Sequence, residues 1–239
     1  MLQGKRLVLF DMDGTLIDSV GMWNKVDRAL LRELGAPDAE TVDVQYRRDT
    51  LLRRFSKAAN PYQEYCRFLG ETYHSPLEAD AIMEKRYAIA ADYLVNQVDY
   101  KPDAEKLLRR LKAMGIPLGI ASTTKRSNMD IYRTRNRNLL AKAPLDDYFS
   151  FIYTREDAKE IKPHPEIYHR ILGEQHLSPA DCLIFEDSLI GVEAANSAGI
   201  EVAVLYDRYS DGEREEIRRR ADYLFDSFAD VLEAIDKET

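Results

Sequence analysis

The sequence has little cysteine and no long apolar segment, and each absence excludes a class of protein. Its 239 residues include two cysteines, Cys66 and Cys182, which are too few and too far apart for a disulfide framework. No apolar stretch is long enough to span a bilayer, and the apolar run at 7–10 is too short for a signal peptide. We therefore expect a soluble, cytoplasmic protein in a reducing compartment.

Positive charge is also in deficit. Lys and Arg total 34 while Asp and Glu total 42, so the formal net charge is -8. This balance argues against a general nucleic-acid binder and against a protein that binds anionic membranes. The hydrophobic fraction of 45% is nevertheless sufficient for a buried core, either in one large domain or in a core with a smaller inserted domain.

Short apolar runs alternate with amphipathic stretches over much of the chain. The strand candidates are residues 5–10, 116–121, 149–153, 182–185 and 201–205. The helix candidates between and after them are residues 103–114, 125–140, 164–175 and 189–198. Strand followed by helix, repeated, predicts an α/β fold with a doubly wound parallel sheet. The charged stretch 211–222 is predicted as an exposed helix, and residues 223–234 as a flank of the sheet.

Residues 19–98 contain no convincing strand and are predicted to be entirely helical. The four helix candidates are residues 22–34, 43–58, 62–73 and 76–96. A capping box of Ser75 and Glu78 is expected to start the last of them. Because this block lies between the first and second strands, we expect a helical domain of residues 19–98 inserted into a core of residues 1–18 and 99–239. It can fold over the end of the first strand.

Asp11 and Asp13 follow directly after the first apolar run, where ligands bind in an open α/β sheet. Two carboxylates this close repel each other unless a positive group lies beside them, and Mg²⁺ suits such a site. Gly14 allows a tight turn after the second acid. A calcium loop is disfavoured because Thr15 and Leu16 stand where it needs a further ligand and a glycine. Solvated acids at an ordinary turn remain an alternative for this segment alone.

Three further groups of polar residues lie at predicted strand ends or helix starts. Ser122 and Thr123 follow the second strand and could bind an anion at a helix N-terminus, or simply cap that helix. Lys162 stands at a proline-rich corner, where it could provide a charge for a phosphate or be an ordinary surface lysine. Glu186 and Asp187 leave the fourth strand and need a positive partner, although Asp187 could instead be an N-cap.

A central first strand, with the second strand on one side and the fourth on the other, would bring these loops to one place. Asp11, Asp13 and Asp187 would then lie near Ser122 and Lys162. Acids suited to a metal, next to a hydroxyl and an ammonium suited to a phosphate, are typical of a phosphoryl-transfer site.

Four segments together resemble the haloacid dehalogenase (HAD) superfamily, specifically the phosphatases and mutases of the β-phosphoglucomutase type that carry a helical cap. These segments are residues 11–16, 122–123, 162–168 and 186–199. The resemblance extends from residue 7 to about residue 205. It implies a Rossmann-like core with an inserted helical cap, in agreement with the pattern of strands and helices.

The resemblance also implies catalytic roles, which are consistent with the chemistry of the residues. Asp11 is expected to attack phosphorus and form an aspartyl-phosphate. Asp13 is expected to protonate the leaving alkoxide and then to accept a proton from the attacking water. Ser122 and Lys162 are expected to hold the oxygens of the transferred phosphoryl group.

Metal and substrate contacts are expected from the same resemblance. The residues expected at Mg²⁺ are Asp11, Asp13 through its backbone carbonyl, Asp187 and, further from the ion, Glu186. Those expected to contact the substrate are Gly14, Thr123, Arg47 and Arg48. For the two arginines, a solvated helix face is the alternative interpretation.

The sequence therefore predicts a Mg²⁺-dependent phosphatase of a small phosphorylated metabolite, acting as a monomer or weak dimer. A phosphomutase of the same fold is the first alternative, but Met22 and Trp23 stand where such a mutase would carry a histidine. A non-catalytic receiver-like module that binds metal and accepts phosphate is the second alternative. It would have no need for Asp13 beside the nucleophile.

Overall fold

We describe residues 1–238 of the chain in a computed structural model. They divide into two compact units. The core unit comprises Met1–Ser19 together with the chain from Val98 onwards, and the helical unit comprises Val20–Gln97. Within residues 1–238, none of the helices is both long and apolar enough to cross a membrane.

The core unit is built on a parallel sheet to which the described residues contribute six strands, in the order β3-β2-β1-β4-β5-β6. The strands are β1 Leu7–Phe10, β2 Leu118–Ala121, β3 Phe151–Tyr153, β4 Cys182–Glu186, β5 Glu201–Leu205 and β6 Tyr223–Phe225. Phe10 of β1 pairs with Ile120 on one side and Phe185 on the other. All residues of β1, β2 and β4 are buried, as expected of strands covered on both faces. The predicted α/β class and the central position of β1 are confirmed.

The helical unit consists of four helices, the number predicted. They are α1 Val20–Glu33, α2 Val44–Arg54, α3 Pro61–Thr72 and α4 Ala79–Asn96. Helix α4 packs against both α1 and α3. Apolar side chains spaced three or four residues apart form the shared core of the unit, among them Leu30, Leu34, Leu69 and Ile82.

Helix α4 begins later than expected, and the predicted capping box was wrong. Ser75 Oγ accepts a hydrogen bond from the backbone of Leu77, not from a residue in the first turn of α4. Glu78 occupies the N-cap position, where its side chain makes no capping hydrogen bond. The Ser75 hydroxyl therefore stabilises the turn that precedes the helix.

The core unit adds eight helices within the described chain. They are α5 Ala104–Ala113, α6 Arg126–Thr134, α7 Arg137–Lys142, α8 Leu145–Tyr148, α9 Glu166–Gln175, α10 Leu189–Ser197, α11 Arg214–Arg220 and α12 Phe228–Glu238. The single helix predicted over 125–140 is broken into α6 and α7. Asn136 at the break is buried, accepts a hydrogen bond from Leu139 N at 2.8 Å and donates one to Val98 O at 3.0 Å. Its side chain thus caps α7 and anchors the chain that returns from the helical unit.

The region after β5 also differs from the prediction. Part of the stretch predicted as one helix over 211–222 is a 3₁₀ segment, Arg208–Glu213, which precedes α11. Residues 223–234 were expected to flank the sheet, but Tyr223–Phe225 form the edge strand β6, paired with β5. A strand of three residues with little alternation gives too weak a pattern for detection.

Candidate active site

Loops that leave neighbouring strands bring the predicted polar residues to one edge of the sheet. Asp11 follows β1, Ser122 follows β2, Glu186 ends β4, and Asp187 comes next. Lys162 reaches the same place from the segment before α9, since its Nζ lies 2.8 Å from Asp11 Oδ1. The parallel order β2-β1-β4 is the reason that residues more than a hundred positions apart meet here.

Lys162 is the positive centre of this cluster. Besides the contact with Asp11, its Nζ donates to Glu186 Oε1 at 2.5 Å and to the carbonyl of Ala121 at 2.8 Å. Only 2% of its side chain is exposed. Burial by itself would lower the pKa of Lys162, but the charges of Asp11 and Glu186 outweigh it and hold the pKa well above its usual range. The ammonium group is therefore permanently charged, and its three hydrogens are directed to three fixed acceptors.

Asp11, Glu186 and Asp187 form a buried acidic cluster whose potential ligand oxygens lie within 4.8 Å of one another. Burial, reinforced by the negative charge of Glu186, raises the pKa of Asp11 to about 7 even though Lys162 opposes the shift. Burial and the charges of Glu186 and Asp11 raise the pKa of Asp187 well above its usual range. One ammonium group does not balance three buried carboxylates, and their oxygens are hard ligands, so the residues fit a divalent cation such as Mg²⁺.

Three side chains orient the acidic cluster from its periphery. Thr15 Oγ1 donates to Asp187 Oδ1 at 2.7 Å. Tyr168, on α9, has its hydroxyl 3.3 Å from Glu186 Oε1. Glu186 Oε2 accepts from the backbone of Asp187 at 3.2 Å and from Ser188 Oγ at 3.3 Å. Both oxygens of Glu186 thus have hydrogen-bond donors within the protein.

Asp13 is not part of this acidic cluster, and hydroxyl groups surround its carboxylate. Oδ1 accepts hydrogen bonds from Ser19 Oγ at 2.6 Å and from the Tyr132 hydroxyl at 3.2 Å, and Oδ2 accepts one from Thr124 Oγ1. Sequence reasoning missed all three donors as partners of Asp13. The hydroxyl-rich run after β2 held a signal for Thr124, but nothing near Tyr132 in the sequence indicated that it reaches Asp13 from α6.

The residues expected around the phosphate lie in the segments that follow β2 and β1. Ser122 is buried, and its Oγ donates to Thr124 Oγ1 at 2.9 Å. Thr123 is partly buried next to it. Gly14 has a φ of 92°, a left-handed conformation that glycine adopts without strain, so the chain turns sharply after Asp13. The roles of these residues in substrate binding stay predictions.

Arg47 and Arg48, the other two residues expected at the substrate, lie on α2 and have partners within the helical unit. Arg47 donates to Asp38 Oδ2 at 2.6 Å and also to the Tyr73 hydroxyl. Arg48 is buried and donates to Asp27 Oδ2 at 2.8 Å. Arg48 therefore does not belong to the solvated face that was its alternative interpretation, and a substrate contact by either residue stays a prediction.

Asp27 joins Arg48 to a second buried arginine of the helical unit. Arg86 Nε donates to Asp27 Oδ1 at 2.5 Å, so each oxygen of this carboxylate has one guanidinium partner. The Arg86 guanidinium lies over the Trp23 ring, 4.5 Å from its centroid, and the Trp23 ring meets Tyr87 edge to face. Trp23 is thus a packing residue of the helical unit.

Comparison with known proteins agrees with the geometry of the site. A family model for haloacid dehalogenase-like hydrolases matches residues 8–205. Protein CbbY from Rhodobacter capsulatus is 30% identical over 213 residues, which cover 87% of this chain and 88% of the relative. The phosphorylated carbohydrates phosphatase of Thermotoga maritima is 29% identical over 195 residues, which cover 81% and 82% of the two chains.

A similar fold is found among solved structures. A mutant of CbbY from Rhodobacter sphaeroides, in complex with xylulose-(1,5)bisphosphate, matches with a TM-score of 0.73 and 26% identity, over 94% of this chain and 95% of that chain. The family match spans more than half of the sequence and includes every strand-end motif described above. The chain belongs to the haloacid dehalogenase-like hydrolase family.

Proposed function

We propose that this protein is a Mg²⁺-dependent phosphatase that hydrolyses a phosphomonoester of a small metabolite through an aspartyl-phosphate at Asp11. The observation that carries the proposal is the separation of two carboxylates that are two residues apart in sequence. Asp11 lies between a buried ammonium group and an acidic cluster, whereas Asp13 is held by hydroxyl groups alone. Different surroundings are what a nucleophile and an acid–base group require.

In the first half of the reaction, a carboxylate oxygen of Asp11 attacks phosphorus and the bond from phosphorus to the ester oxygen breaks. Asp13 gives its proton to the departing alkoxide. Lys162 holds Asp11 Oδ1 throughout and is close enough to offset charge that develops on the phosphoryl oxygens. The hydroxyl of Ser122, in the loop after β2, is a neutral donor for an oxygen of the phosphoryl group.

In the second half, water attacks the phosphorus of the aspartyl-phosphate while Asp13 accepts a proton from it. The bond from phosphorus to the Asp11 oxygen then breaks, which restores the carboxylate and releases inorganic phosphate. The same residue serves as acid and then as base because the first step leaves it deprotonated. No further proton donor or acceptor is needed to balance the cycle.

The residues that would hold Mg²⁺ are Asp11, Asp187 and the backbone carbonyl of Asp13. Both Glu186 oxygens already accept hydrogen bonds, so we assign it a place further from the ion, where it orients Lys162. When bound, the ion supplies positive charge that offsets the repulsion between the phosphate and the nucleophilic carboxylate.

The names of the relatives support the substrate class. One is a phosphatase of phosphorylated carbohydrates, and the CbbY structure contains a sugar bisphosphate. A phosphorylated sugar, or a similar small phosphomonoester, is therefore the substrate that we expect. A monomer or weak dimer, and a cytoplasmic location, stay predictions.

The test is a panel assay of phosphate release from sugar phosphates and other organic phosphates, with Mg²⁺ and with a chelator. Phosphate release that depends on Mg²⁺ and disappears in Asp11→Asn is the expected result. If no member of the panel releases phosphate under any metal condition, the proposal is wrong.

The same panel decides between hydrolysis and the mutase alternative. Incubation with a hexose 1-phosphate and a trace of its bisphosphate should yield inorganic phosphate and little isomer. An indole cannot relay a proton, so Trp23 cannot replace the histidine of a mutase. Isomer that accumulates much faster than phosphate would establish mutase activity and leave the fold assignment intact.

A further inference from the structure

We propose that Tyr132 and Thr124 are positioning residues that fix the carboxylate of Asp13 for its acid–base role. The proposal rests on the proposed function, because it concerns the proton transfers of that reaction. Neither residue belongs to the four segments that carry the resemblance to the family.

The three donors to Asp13 come from three separate parts of the core unit. Ser19 lies at the end of the segment after β1, Thr124 in the loop after β2, and Tyr132 on α6. Thr124 holds Oδ2, while Ser19 and Tyr132 share Oδ1. A carboxylate held on both oxygens cannot rotate about its terminal bond without breaking hydrogen bonds, so this arrangement selects one orientation.

Tyr132 is fully buried, so its hydroxyl needs a partner inside the protein. Asp13 Oδ1 is the acceptor that the structure provides, at 3.2 Å. A phenylalanine would fill the ring site equally well and would bring no desolvated hydroxyl into the core. The presence of tyrosine is therefore explained by what its hydroxyl does to Asp13 rather than by packing.

Thr124 connects Asp13 to the phosphate side of the site. Ser122 Oγ donates to Thr124 Oγ1 at 2.9 Å, and Thr124 Oγ1 donates to Asp13 Oδ2. Hydrogen bonds in such a chain strengthen one another. A phosphate that accepts the Ser122 proton would remove one bond from this chain and loosen the hold of Thr124 on Asp13. Ser19 and Tyr132 would still hold Oδ1, so the orientation of Asp13 in the substrate complex depends on donors to both oxygens.

Orientation matters most when the leaving group needs a proton. An alkoxide is a poor leaving group and depends on Asp13, whereas a nitrophenolate departs without protonation. Positioned acids contribute about 10²- to 10⁴-fold to such steps. A change that misorients Asp13 should thus slow the attack on alkyl phosphates much more than the attack on aryl phosphates.

The experiment compares kcat/KM for two esters in Tyr132→Phe and in the unchanged protein. The esters are p-nitrophenyl phosphate and the alkyl phosphate that the panel identifies as hydrolysed fastest. We expect a loss of about tenfold or more for the alkyl ester and less than about threefold for the aryl ester. An equal loss for both esters would show that the hydroxyl serves stability alone and would overturn the proposal.

Two further comparisons control for structural damage. Thr124→Val should show the same selective loss, and Thr124→Ser, which keeps the hydroxyl, should restore the rate for the alkyl ester. Tyr100→Phe is the matched control, because the buried Tyr100 hydroxyl donates to the carbonyl of Ala143 at 2.6 Å and does not contact Asp13. Any effect of Tyr100→Phe should be equal for the two esters.

A readout independent of activity separates this proposal from the proposed function. In crystals of Tyr132→Phe and Thr124→Val, the Asp13 side chain should leave its single orientation. An unchanged orientation in both variants would contradict the positioning role even if the protein is a phosphatase. If the unchanged protein hydrolyses no ester, the proposed function fails, and the crystals still decide whether these residues orient Asp13.

Discussion

The core unit buries three carboxylates around one ammonium group, whereas the helical unit buries two guanidinium groups around one carboxylate. The first cluster consists of Asp11, Glu186, Asp187 and Lys162. The second consists of Asp27, Arg48 and Arg86. Both lie in low-dielectric surroundings, and the second has an additional exposed partner in Asp49, at 3.5 Å from Arg48. The clusters differ in whether their charges are balanced.

The pKa shifts report this difference. In the core unit, burial and mutual repulsion raise the pKa values of Asp11 and Asp187, so that two groups resist ionisation. In the helical unit, burial would lower the pKa of each arginine, but the charge of Asp27 outweighs it and raises both. The two arginines of the helical unit face two carboxylates once Asp49 is counted, whereas the three carboxylates of the core unit face one ammonium group. In this chain, the cluster whose charges do not balance is the one whose residues fit a metal ion.

The largest effect should come from Asp11→Asn. Loss of the proposed nucleophile should lower kcat by at least about 10³-fold, because an amide cannot form the acyl phosphate. In the absence of metal, the free energy of unfolding should stay the same or increase, since one repelling charge is removed and Lys162 keeps Glu186 as a partner. Phosphate assays and chemical denaturation with a chelator measure both quantities. Near-normal turnover in a folded variant would refute the assigned role.

Asp27→Asn makes the same chemical change in the balanced cluster, and its effect on stability should have the opposite sign. Two buried arginines would lose their shared counter-charge, which should lower the free energy of unfolding by about 3 kcal/mol. The control is Asp49→Asn. Asp49 also pairs with Arg48, but its side chain is 52% exposed, so this variant should change the free energy of unfolding by less than about 1 kcal/mol. If Asp27→Asn and Asp49→Asn lowered the free energy of unfolding equally, burial would not distinguish the ion pairs of Asp27 from that of Asp49.

Metal binding should offset the excess negative charge in the cluster of the core unit. The degree to which Mg²⁺ stabilises the folded protein should therefore depend on pH. Burial raises the pKa of Asp11 from 3.8 to about 7. The contribution of protonated Asp11 to the free energy of unfolding is therefore complete below about pH 4 and is lost as pH rises through 7. Asp187 acts in the same direction. The protein without metal should thus become less stable between about pH 4 and about pH 7 through Asp11, and Asp187 adds to this loss of stability. The increase in melting temperature caused by Mg²⁺ should grow over the same interval.

Thermal melts with Mg²⁺ and with a chelator, at several pH values, measure this dependence. Asp187→Asn is the matched variant, because it removes one carboxyl group with a raised pKa that is also a proposed metal ligand. It should reduce both the pH dependence without metal and the stabilisation by Mg²⁺. A stabilisation by Mg²⁺ that is equal at all pH values would place the ion away from these acids.

The contrast between the clusters also explains how much could be predicted from sequence. Asp11, Glu186 and Asp187 follow buried strands directly, and a parallel sheet brings such strand ends together, so their meeting was predictable. Asp27 and Arg86 lie on different helices, 59 residues apart, and nothing in a helical pattern indicates which faces meet. The buried pairing of Arg48 was missed for the same reason, since two adjacent arginines are typical of a solvated face.

The same limit applies within the active site. The position of Asp13 followed from its spacing to Asp11, but its hydroxyl donors depend on where α6 packs. The break between α6 and α7 depends on the contact of Asn136 with Val98, which is non-local. Local patterns therefore specified the strands and the acids, whereas the side chains that orient those acids depended on tertiary contacts.

The smallest expected effect tests how tightly the core cluster is packed. A Cβ atom at Gly191 would lie 2.0 Å from Glu186 Cδ, and Glu186 is fixed by Lys162 at 2.5 Å. Gly191→Ala must therefore displace the Glu186 carboxylate or the start of α10. We expect a loss of about 1–3 kcal/mol in the free energy of unfolding, together with reduced kcat, because Lys162 loses a fixed partner.

The matched control is Gly173→Ala on α9, where a Cβ would meet nothing within 4 Å. This variant should gain about 0.5–1 kcal/mol, as expected when alanine replaces glycine inside a helix, and should keep its kcat. Denaturation curves and phosphate assays on the pair separate helix propensity from crowding of Glu186. If Gly191→Ala were as stable and as active as Gly173→Ala, the Glu186 carboxylate would have room to move. The core cluster would then be loosely held, and Lys162 would not depend on a fixed position of Glu186.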